Sequence, residues 1–209
     1  MFGIRRYLKL QMLRLSWRRA NQHNSTIPNC LFGMEQVTVG IKSYGELNID
    51  LGTNPNRKVT IGNYCSIASG VWFLVNPHNY HFFSTWSWQR SVFNEYDYSW
   101  EAKTSIVVKD DVWIGRGALV LGGVTLGQGC VVGANSCVTR DVPPYGIYAG
   151  TRLIGFRFPE EICARLQEID FSKIDDSVID RLRGWHKTEI TSENISALLA
   201  ILPKKEVGE

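Results

Sequence analysis

The stretch from Val108 to Pro143 constrains the fold most, because it consists of six consecutive six-residue units in one unbroken frame. Each unit opens with an aliphatic residue and carries a small or β-branched residue at its fifth position. The opening residues are Val108, Ile114, Val120, Leu126, Val132 and Val138, and the fifth positions are Val112, Ala118, Val124, Cys130, Ser136 and Val142. A helix repeats about every 3.6 residues and a strand every two, so neither explains the period. The period predicts a stacked, quasi-one-dimensional array.

We interpret this array as an all-β fold, a parallel β-helix in which six residues form one flat face and three faces close one coil. The opening aliphatic residue of each unit then points inward and joins a continuous apolar column. Glycine occupies the second position in three units, at Gly115, Gly127 and Gly133, where it suits sharp corners. A Val/Gly-rich β-sandwich is the alternative, but sandwich strands rarely hold one frame for six units.

Less regular units precede this run. Val39, Ile61 and Ile67 open hexad-like units, residues 51–58 have turn composition, and the faces resume from Val59 to about Leu74. After Arg157 the pattern becomes helical, with Pro159 in a first turn followed by Ile162, Leu166 and Ile169, and further helices are predicted at 175–185 and 191–202. We expect this C-terminal helical region to cap the open end of the coil. The predicted divisions are a basic N-terminal helix and linker (1–36), the β-helix (37–157, with a loop excursion at 75–105) and the C-terminal helical region (158–209).

The composition, 44% hydrophobic and 21% charged, is that of a globular protein. The five cysteines are odd in number and form no CxxC pair. This favours a reducing compartment and packing in the core over disulfides or a zinc site. We therefore expect a cytoplasmic protein, or one peripheral to the inner face of the membrane.

The first 34 residues carry six basic side chains and no acidic one. Lys9 and Arg14 interrupt the apolar run, which excludes a signal-peptide core or a membrane span. Residues 4–19 can form a helix, with apolar residues on two sides. The helix either anchors on an anionic membrane surface or packs on the body or on a neighbouring subunit, and we favour the packed helix.

The loop excursion, residues 75–105, interrupts the hexads and contains nine of the 24 aromatic residues. They are Tyr80, Phe82, Phe83, Trp86, Trp88, Phe93, Tyr96, Tyr98 and Trp100. A loop of this length in a compact domain is usually functional or disordered, and its aromatic content argues against disorder. The aromatic residues can wall a site for a sugar ring, cover a neighbouring subunit, or both.

Two histidines, His78 and His81, lie at the start of the excursion. A histidine that titrates near neutral pH is suited to remove a proton from a hydroxyl group as a general base. A metal pair is the alternative, but no third histidine and no carboxylate stands at ligand spacing. Taken alone, such a histidine is more often structural.

The chain resembles the left-handed hexapeptide-repeat acyltransferases, in their chloramphenicol/streptogramin-type O-acetyltransferase branch. The resemblance covers about residues 37–170. It depends on His78 followed by Ser84-Thr85, on Asp111-Val112-Trp113-Ile114-Gly115, on Val132-Gly133-Ala134-Asn135-Ser136, and on the run from Val138 to Pro144. The resemblance implies a left-handed coil and a homotrimer that binds acetyl-CoA in grooves between its subunits.

The resemblance also implies roles for individual residues. His78 aligns with the general base, Arg157 with a basic position that meets the CoA phosphates, and four positions with contacts to the CoA chain, namely Arg116, Ala134, Thr139 and Arg140. On the acceptor side we place His81, Trp86 and Trp113. Two departures stand out: Ile154 replaces a usual basic residue, for which Arg152 or Arg157 can substitute, and His81 stands where relatives often have Asp.

We therefore predict an acetyl-CoA-dependent O-acetyltransferase that acts by direct transfer on a hydroxyl group of a sugar or glycan, without a metal and without a nucleic-acid partner. An antibiotic hydroxyl group is the alternative acceptor, and another short acyl group remains open. Two other classes are a metal-dependent lyase of the gamma carbonic anhydrase kind, which needs three zinc-ligating histidines, and a catalytically silent scaffold.

Overall fold

The computed structural model describes residues 2–75, 78–96 and 105–206. The strands in these residues are β1 (Ser25–Pro28), β2 (Val37–Val39), β3 (Tyr44–Asp50), β4 (Val59–Ile61), β5 (Ser66–Ile67), β6 (Trp72–Leu74), β7 (Ile106–Val108), β8 (Trp113–Ile114), β9 (Leu119–Leu121), β10 (Thr125–Leu126), β11 (Val131–Val132), β12 (Cys137–Val138), β13 (Gly146–Ala149) and β14 (Arg152–Phe156). The α-helices are α1 (Phe2–Ala20), α2 (Trp88–Ser91), α3 (Glu160–Leu166), α4 (Asp176–Arg181) and α5 (Ile195–Leu199). Short 3₁₀ helices lie at Met34–Gln36, Phe171–Lys173 and Trp185–Lys187.

The strands form three parallel faces around one core. The first face contains β2, β4, β7 and β10. The second contains the start of β3 followed by β5, β8, β11 and β13, and the third contains the end of β3 followed by β6, β9 and β12. The chain passes from the first face to the second and then to the third in each coil, as the period of six predicts.

The register confirms a coil of eighteen residues. Val108 pairs with Leu126, and the same offset relates Ile114 to Val132 and Val120 to Val138. The six opening residues of the hexads are at most 1% exposed, and their six fifth positions are at most 2% exposed. Full burial of one such aliphatic side chain stabilises a fold by about 1.5–3 kcal/mol, so the column is the main source of stability.

The corners require a correction of the role predicted for glycine. The positive φ angles fall at the fourth position of the hexad, at Asp111 (57°), Gly117 (69°), Gly123 (87°), Gly129 (68°) and Asn135 (55°). Gly115, at a second position, has no positive φ, but a Cβ atom there would lie 2.6 Å from the backbone nitrogen of Ala134. Glycine at position 115 therefore permits close stacking of successive coils, whereas the turn itself is made two residues later.

The N-terminal helix packs on the coil through its C-terminal half. Trp17 is 1% exposed, its ring lies 5.5 Å from that of Phe32, and its Nε1 donates a hydrogen bond to Thr26 Oγ1 at 3.1 Å. Thr26 belongs to β1, which adds a parallel strand beside β3. The segment predicted as a linker therefore also extends the second face. In the part of the chain that is described, none of the helices has the length and apolar composition needed to cross a bilayer.

The C-terminal helical region contains helices in all three predicted segments, each shorter than expected. Our prediction that this region caps the end of the coil is wrong. The region runs along the corner between the first and second faces. Tyr64, in the second coil, donates a hydrogen bond to the carbonyl oxygen of Ile174, and Tyr145, beyond the fourth coil, donates one to that of Leu166. Both tyrosines pack with the apolar residues of this region because side chains at this corner project outward from the coil.

The cysteines are free thiols, and Cys65, Cys130 and Cys163 are buried. Burial raises the pKa of Cys65 and of Cys130 to about 12. These two thiols therefore stay neutral and serve as small core side chains, as the fifth-position pattern predicts for Cys130.

Candidate active site

His78 is an exposed residue of the excursion, which leaves the coil after the third-face strand β6. Its Nδ1 lies 3.0 Å from the carbonyl oxygen of Thr85. A carbonyl oxygen only accepts a hydrogen bond, so Nδ1 must carry the proton. In the neutral ring the other nitrogen, Nε2, then has a free lone pair. This is the arrangement that a general base requires. Thr85, part of the Ser84-Thr85 pair in the predicted motif, contacts His78 through its backbone carbonyl oxygen, which a sequence pattern does not reveal.

His81 lies three residues further along the same loop. Its backbone N–H donates a hydrogen bond to Asn79 Oδ1 at 2.9 Å, and its ring lies 4.4 Å from the ring of Tyr80. Among the described residues there is no group of three or more His, Cys, Asp or Glu side chains placed to hold a metal ion. The lyase alternative therefore lacks a described set of ligands.

Three aromatic residues form a cluster next to His78, which we call the aromatic cluster: Phe83, Trp86 and Trp88. The rings of Trp86 and Trp88 are 5.1 Å apart and nearly perpendicular, and Phe83 lies 6.2 Å from Trp88. Their exposed fractions are 91% for Phe83, 56% for Trp86 and 41% for Trp88. Trp86 directly follows Thr85, whose carbonyl holds His78, so the cluster flanks the histidine. Tyr98 and Trp100, named in the sequence analysis, lie outside the described residues.

Two predicted CoA contacts share a corner with the excursion. We call the corner between the third and first faces corner 3–1. The excursion leaves the second coil at this corner, and Gly122-Gly123 occupy the same corner at the end of the third coil. Gly122 N donates to Leu74 O at 2.9 Å and Gly123 N to Ser105 O at 3.0 Å, which stacks this glycine pair directly on the two ends of the excursion. One coil further on, the same corner carries exposed Thr139 and Arg140. Sequence reasoning did not identify the intervening glycine pair, although its position in the hexad frame was available.

Arg116 and Ala134 lie on a different corner, between the second and third faces. They occupy the same position in successive coils, where Asn135 N donates to the carbonyl oxygen of Arg116 at 2.8 Å, and both are exposed. Trp113 is 56% exposed on the outer side of the second face. In a three-sided coil this face lies opposite corner 3–1.

Arg157 lies on the third corner, between the first and second faces. Its Nη1 is 3.2 Å from Asp111 Oδ2 and 2.7 Å from the carbonyl oxygen of Gly129, and its guanidinium lies over the rings of Tyr145 and Phe158 at 5.5 and 5.2 Å. Burial raises the pKa of Asp111, and the neighbouring Arg157 counteracts this rise. The contacts of Arg157 therefore join the C-terminal segment to the coil.

Arg152 and Ile154 are both exposed on β14, and Ile154 is 58% exposed. β14 is antiparallel to β13, and Arg152 lies opposite Ala149. Ile154, which stands where relatives have a basic residue, is therefore on the surface, two residues from exposed Arg152.

The outer sides of two faces are apolar. On the second face Tyr44 is 53% and Trp113 56% exposed, and they share a ladder with half-buried Val131 and Ile147. On the third face Trp72, 42% exposed, continues into Leu119. The first face instead presents Thr38, Thr60 and Thr125, with half-buried Val107 between the last two. Adjacent apolar faces of this kind are typical of surfaces that contact another protein.

Comparison with known proteins agrees with this architecture. The family model described as bacterial transferase hexapeptide (six repeats) matches residues 105–140. That match, with the eighteen-residue register, identifies the fold as a left-handed parallel β-helix.

Three curated relatives show the kind of protein that the chain resembles. A probable macrolide acetyltransferase of Lysinibacillus sphaericus is 34% identical over 50% of this chain and 63% of its own length. A chloramphenicol acetyltransferase of Klebsiella aerogenes is 33% identical over 54% of this chain and 59% of its own. The galactoside O-acetyltransferase of Escherichia coli strain K12 is 34% identical over 54% of this chain and 50% of its own. The chain thus spans between 50% and 63% of these relatives, and the predicted resemblance to hexapeptide-repeat acetyltransferases is confirmed.

Proposed function

We propose that this protein is an O-acetyltransferase that transfers the acetyl group of acetyl-CoA to a hydroxyl group of its acceptor, with His78 as the general base. The observation that carries the proposal is the hydrogen bond between His78 Nδ1 and the carbonyl oxygen of Thr85. It leaves Nε2 of this exposed residue as the acceptor of a proton, within a loop that begins on corner 3–1. The names of the three curated relatives support acetyl transfer.

In the proposed reaction His78 Nε2 removes the proton of the acceptor hydroxyl as its oxygen attacks the carbonyl carbon of the thioester. The carbon–sulfur bond then breaks, and the proton held by His78 passes to the departing thiolate. Nδ1 stays bonded to Thr85 throughout, and this bond stabilises the imidazolium that forms transiently. No side chain is required as a covalent nucleophile.

We infer that the complete site lies between two subunits of a homotrimer. His78, Thr139 and Arg140 belong to corner 3–1, whereas Arg116 and Ala134 belong to another corner and Trp113 to the opposite face. In a cyclic trimer each subunit presents one surface to one neighbour and a different surface to the other, so residues from separate corners can meet. The two apolar faces supply surface for both contacts. Light scattering should show a trimer, and a stable monomer that retains full activity would contradict the intersubunit site.

For the donor, we propose that the CoA chain is contacted by four residues, Arg116, Ala134, Thr139 and Arg140. The charge and fork geometry of arginine suit it to bind phosphate groups. Arg152 is the better candidate to replace the basic residue missing at Ile154. Arg157 already donates to Asp111 and Gly129, so a second role at the CoA phosphates requires its remaining nitrogen atoms.

For the acceptor, we propose a sugar or glycan. The exposed aromatic cluster beside His78 offers flat apolar rings of the kind that pack on the apolar faces of a sugar. The galactoside relative acts on such a molecule by its name, whereas the macrolide and chloramphenicol relatives make an antibiotic hydroxyl the second candidate.

The test is a screen of mono- and oligosaccharides, chloramphenicol and macrolides with acetyl-CoA, measured by release of free thiol. Transfer to a sugar that is reduced by Trp86→Ala mainly through a higher acceptor KM supports the whole proposal. Transfer to an antibiotic alone would contradict the glycan acceptor but keep the acetyltransferase. Absence of acetyl-CoA binding by calorimetry would overturn the proposed activity.

A further inference from the structure

The helix α1 has two apolar sides, only one of which is used by the fold. Trp17 lies in the main core, and Leu10 and Leu13 on the same side of the helix are half-buried. Successive residues of an α-helix are about 100° apart, so Leu8 and Leu15 lie on the side opposite to Trp17. The fold thus accounts for one side of the helix and leaves the other uncovered in the single chain.

The uncovered side is a continuous stripe, which we call the α1 stripe. Its members recur at spacings of three and four residues and are more than half exposed: Ile4 70%, Tyr7 62%, Leu8 54%, Met12 67% and Leu15 63%. Single exposed apolar residues need no explanation, but five aligned along one helix form a patch. The stripe spans the helix from its first turn to its fourth.

The charges beside the stripe are all positive. Arg5, Lys9 and Arg19 are exposed and flank it, and Arg6 is exposed near its beginning. The remaining basic residues of α1 tie the helix to the body: Arg14 donates to the carbonyl oxygen of Pro28, and Arg18 donates to those of Asn21 and Asn24. The helix itself contains no acidic residue. The body contacts therefore hold the helix in place while its outer side stays apolar and cationic.

We propose that the α1 stripe docks the protein on an anionic phospholipid surface. An apolar helix side flanked by arginine and lysine is the arrangement that lies in the interface of a bilayer, with the apolar side chains among the acyl chains and the cations at the headgroups. Charge complementarity favours an anionic lipid surface over the same helix of a second copy, because two copies of α1 would face each other with like charges. Tyr7 adds an aromatic residue of the type enriched at bilayer interfaces.

This inference goes beyond the acetyltransferase proposal and is independent of it, since no residue of the stripe is assigned to the site. The test uses the full chain and sedimentation with vesicles of phosphatidylcholine, alone or mixed with phosphatidylglycerol. The wild type should bind the mixed vesicles, bind the neutral vesicles weakly, and lose affinity as salt screens the charges.

Two double variants separate the apolar and charged contributions. Ile4→Asp with Leu8→Asp should weaken binding by at least about tenfold, because apolar burial is lost. Arg5→Gln with Lys9→Gln should weaken it by about fivefold per charge on mixed vesicles and little on neutral ones. The matched control is Ile179→Asp, a helical residue of α4 that is 38% exposed, which should bind as the wild type does.

Three results would overturn the inference. They are no sedimentation of the wild type with mixed vesicles, equal binding to neutral and mixed vesicles, and unchanged binding of the Ile4→Asp, Leu8→Asp variant. A change in oligomeric state of that variant, without vesicle binding by the wild type, would show that a second copy covers the stripe. The salt and lipid dependence of the wild type tests the inference even if a variant fails to fold.

Discussion

The ring of His78 is fixed by the backbone of Thr85, whose carbonyl oxygen lies 3.0 Å from Nδ1. The partner is seven residues away in the same loop, so one chain by itself can set the tautomer of the proposed base. A backbone partner also keeps this geometry independent of the side chain at position 85. The neighbouring subunit, in the proposed trimer, then has to supply only substrate contacts.

This contact predicts the tautomer of His78. Long-range proton–nitrogen NMR spectra at a pH where the ring is neutral should show a protonated Nδ1 and an unprotonated Nε2. His81, whose described contacts are a tilted ring contact and a backbone hydrogen bond, serves as the comparison within the same protein. A neutral His78 with its proton mainly on Nε2 would be unable to act as the base through that atom.

The apolar column predicts a large loss of stability when one of its members is shortened. Ile114 is fully buried, so Ile114→Ala should lower the free energy of unfolding by about 2–5 kcal/mol through lost burial and the cavity left behind. The matched control is Ile4→Ala, which removes the same atoms from a side chain that is 70% exposed. Denaturant unfolding should show a change within about 0.5 kcal/mol for the control. Equal losses for the two variants would mean that position 114 does not support the core.

The close approach of coils predicts a different effect for two glycines. Gly115→Ala should destabilise the protein by about 1–3 kcal/mol, because its methyl group would meet the backbone nitrogen of Ala134, which cannot move without displacing a coil. Gly155→Ala is the control, since a Cβ atom there meets nothing within 4 Å. Thermal melting of both variants measures the difference. A Gly115→Ala protein as stable as Gly155→Ala would argue against tight stacking at this position.

The segment before α4 predicts a dependence of stability on acid. Asp170 accepts hydrogen bonds from Ser172 and pairs with Lys173 at 3.3 Å, and these contacts lower the pKa of its carboxyl group below its ordinary value. A carboxyl group whose pKa is lower in the folded than in the unfolded state stabilises the fold at pH values above its unfolded-state pKa. This stabilisation is lost as the pH falls through the folded-state pKa. Asp170→Asn should therefore be less stable than the wild type near neutral pH, and the two should converge in acid. Parallel stability curves down to the lowest pH would show that the carboxylate charge contributes nothing.

The regular part of the coil was predictable because its six-residue period determines which residues are buried and which residues pair in successive coils. The opening residues of the hexads from Val108 to Val138 are buried, and the register of Val108 with Leu126 follows from the period alone. Beyond Val138 the eighteen-residue register is lost, since Leu126 bridges Val142, sixteen residues later, although Val142 remains buried. The strand β1 was also missed, because four residues without a hexad carry no periodic signal.

Three features of the structure had no signal in the sequence pattern. The packing of the C-terminal helical region along one corner depends on Tyr64, 110 residues away from its partner Ile174. Likewise the motif placed His78 but not the carbonyl oxygen that orients it. The distribution of Arg116, Thr139 and Arg157 over three corners became visible only when the eighteen-residue register was applied to each of them.

In the proposed mechanism His78 acts on the acceptor proton and does not hold the donor. The most direct measurement is the kcat of His78→Ala with one acceptor at saturating acetyl-CoA, set beside that of His81→Ala. We predict a loss of roughly 10²–10⁴-fold for His78→Ala, the usual share of a positioned general base, with acetyl-CoA affinity unchanged by calorimetry. His81→Ala should act mainly on the acceptor KM, as expected for a contact shared by ground and transition states. A His78→Ala enzyme with near wild-type kcat would contradict the account, and equal losses for both variants would point to a paired-histidine mechanism.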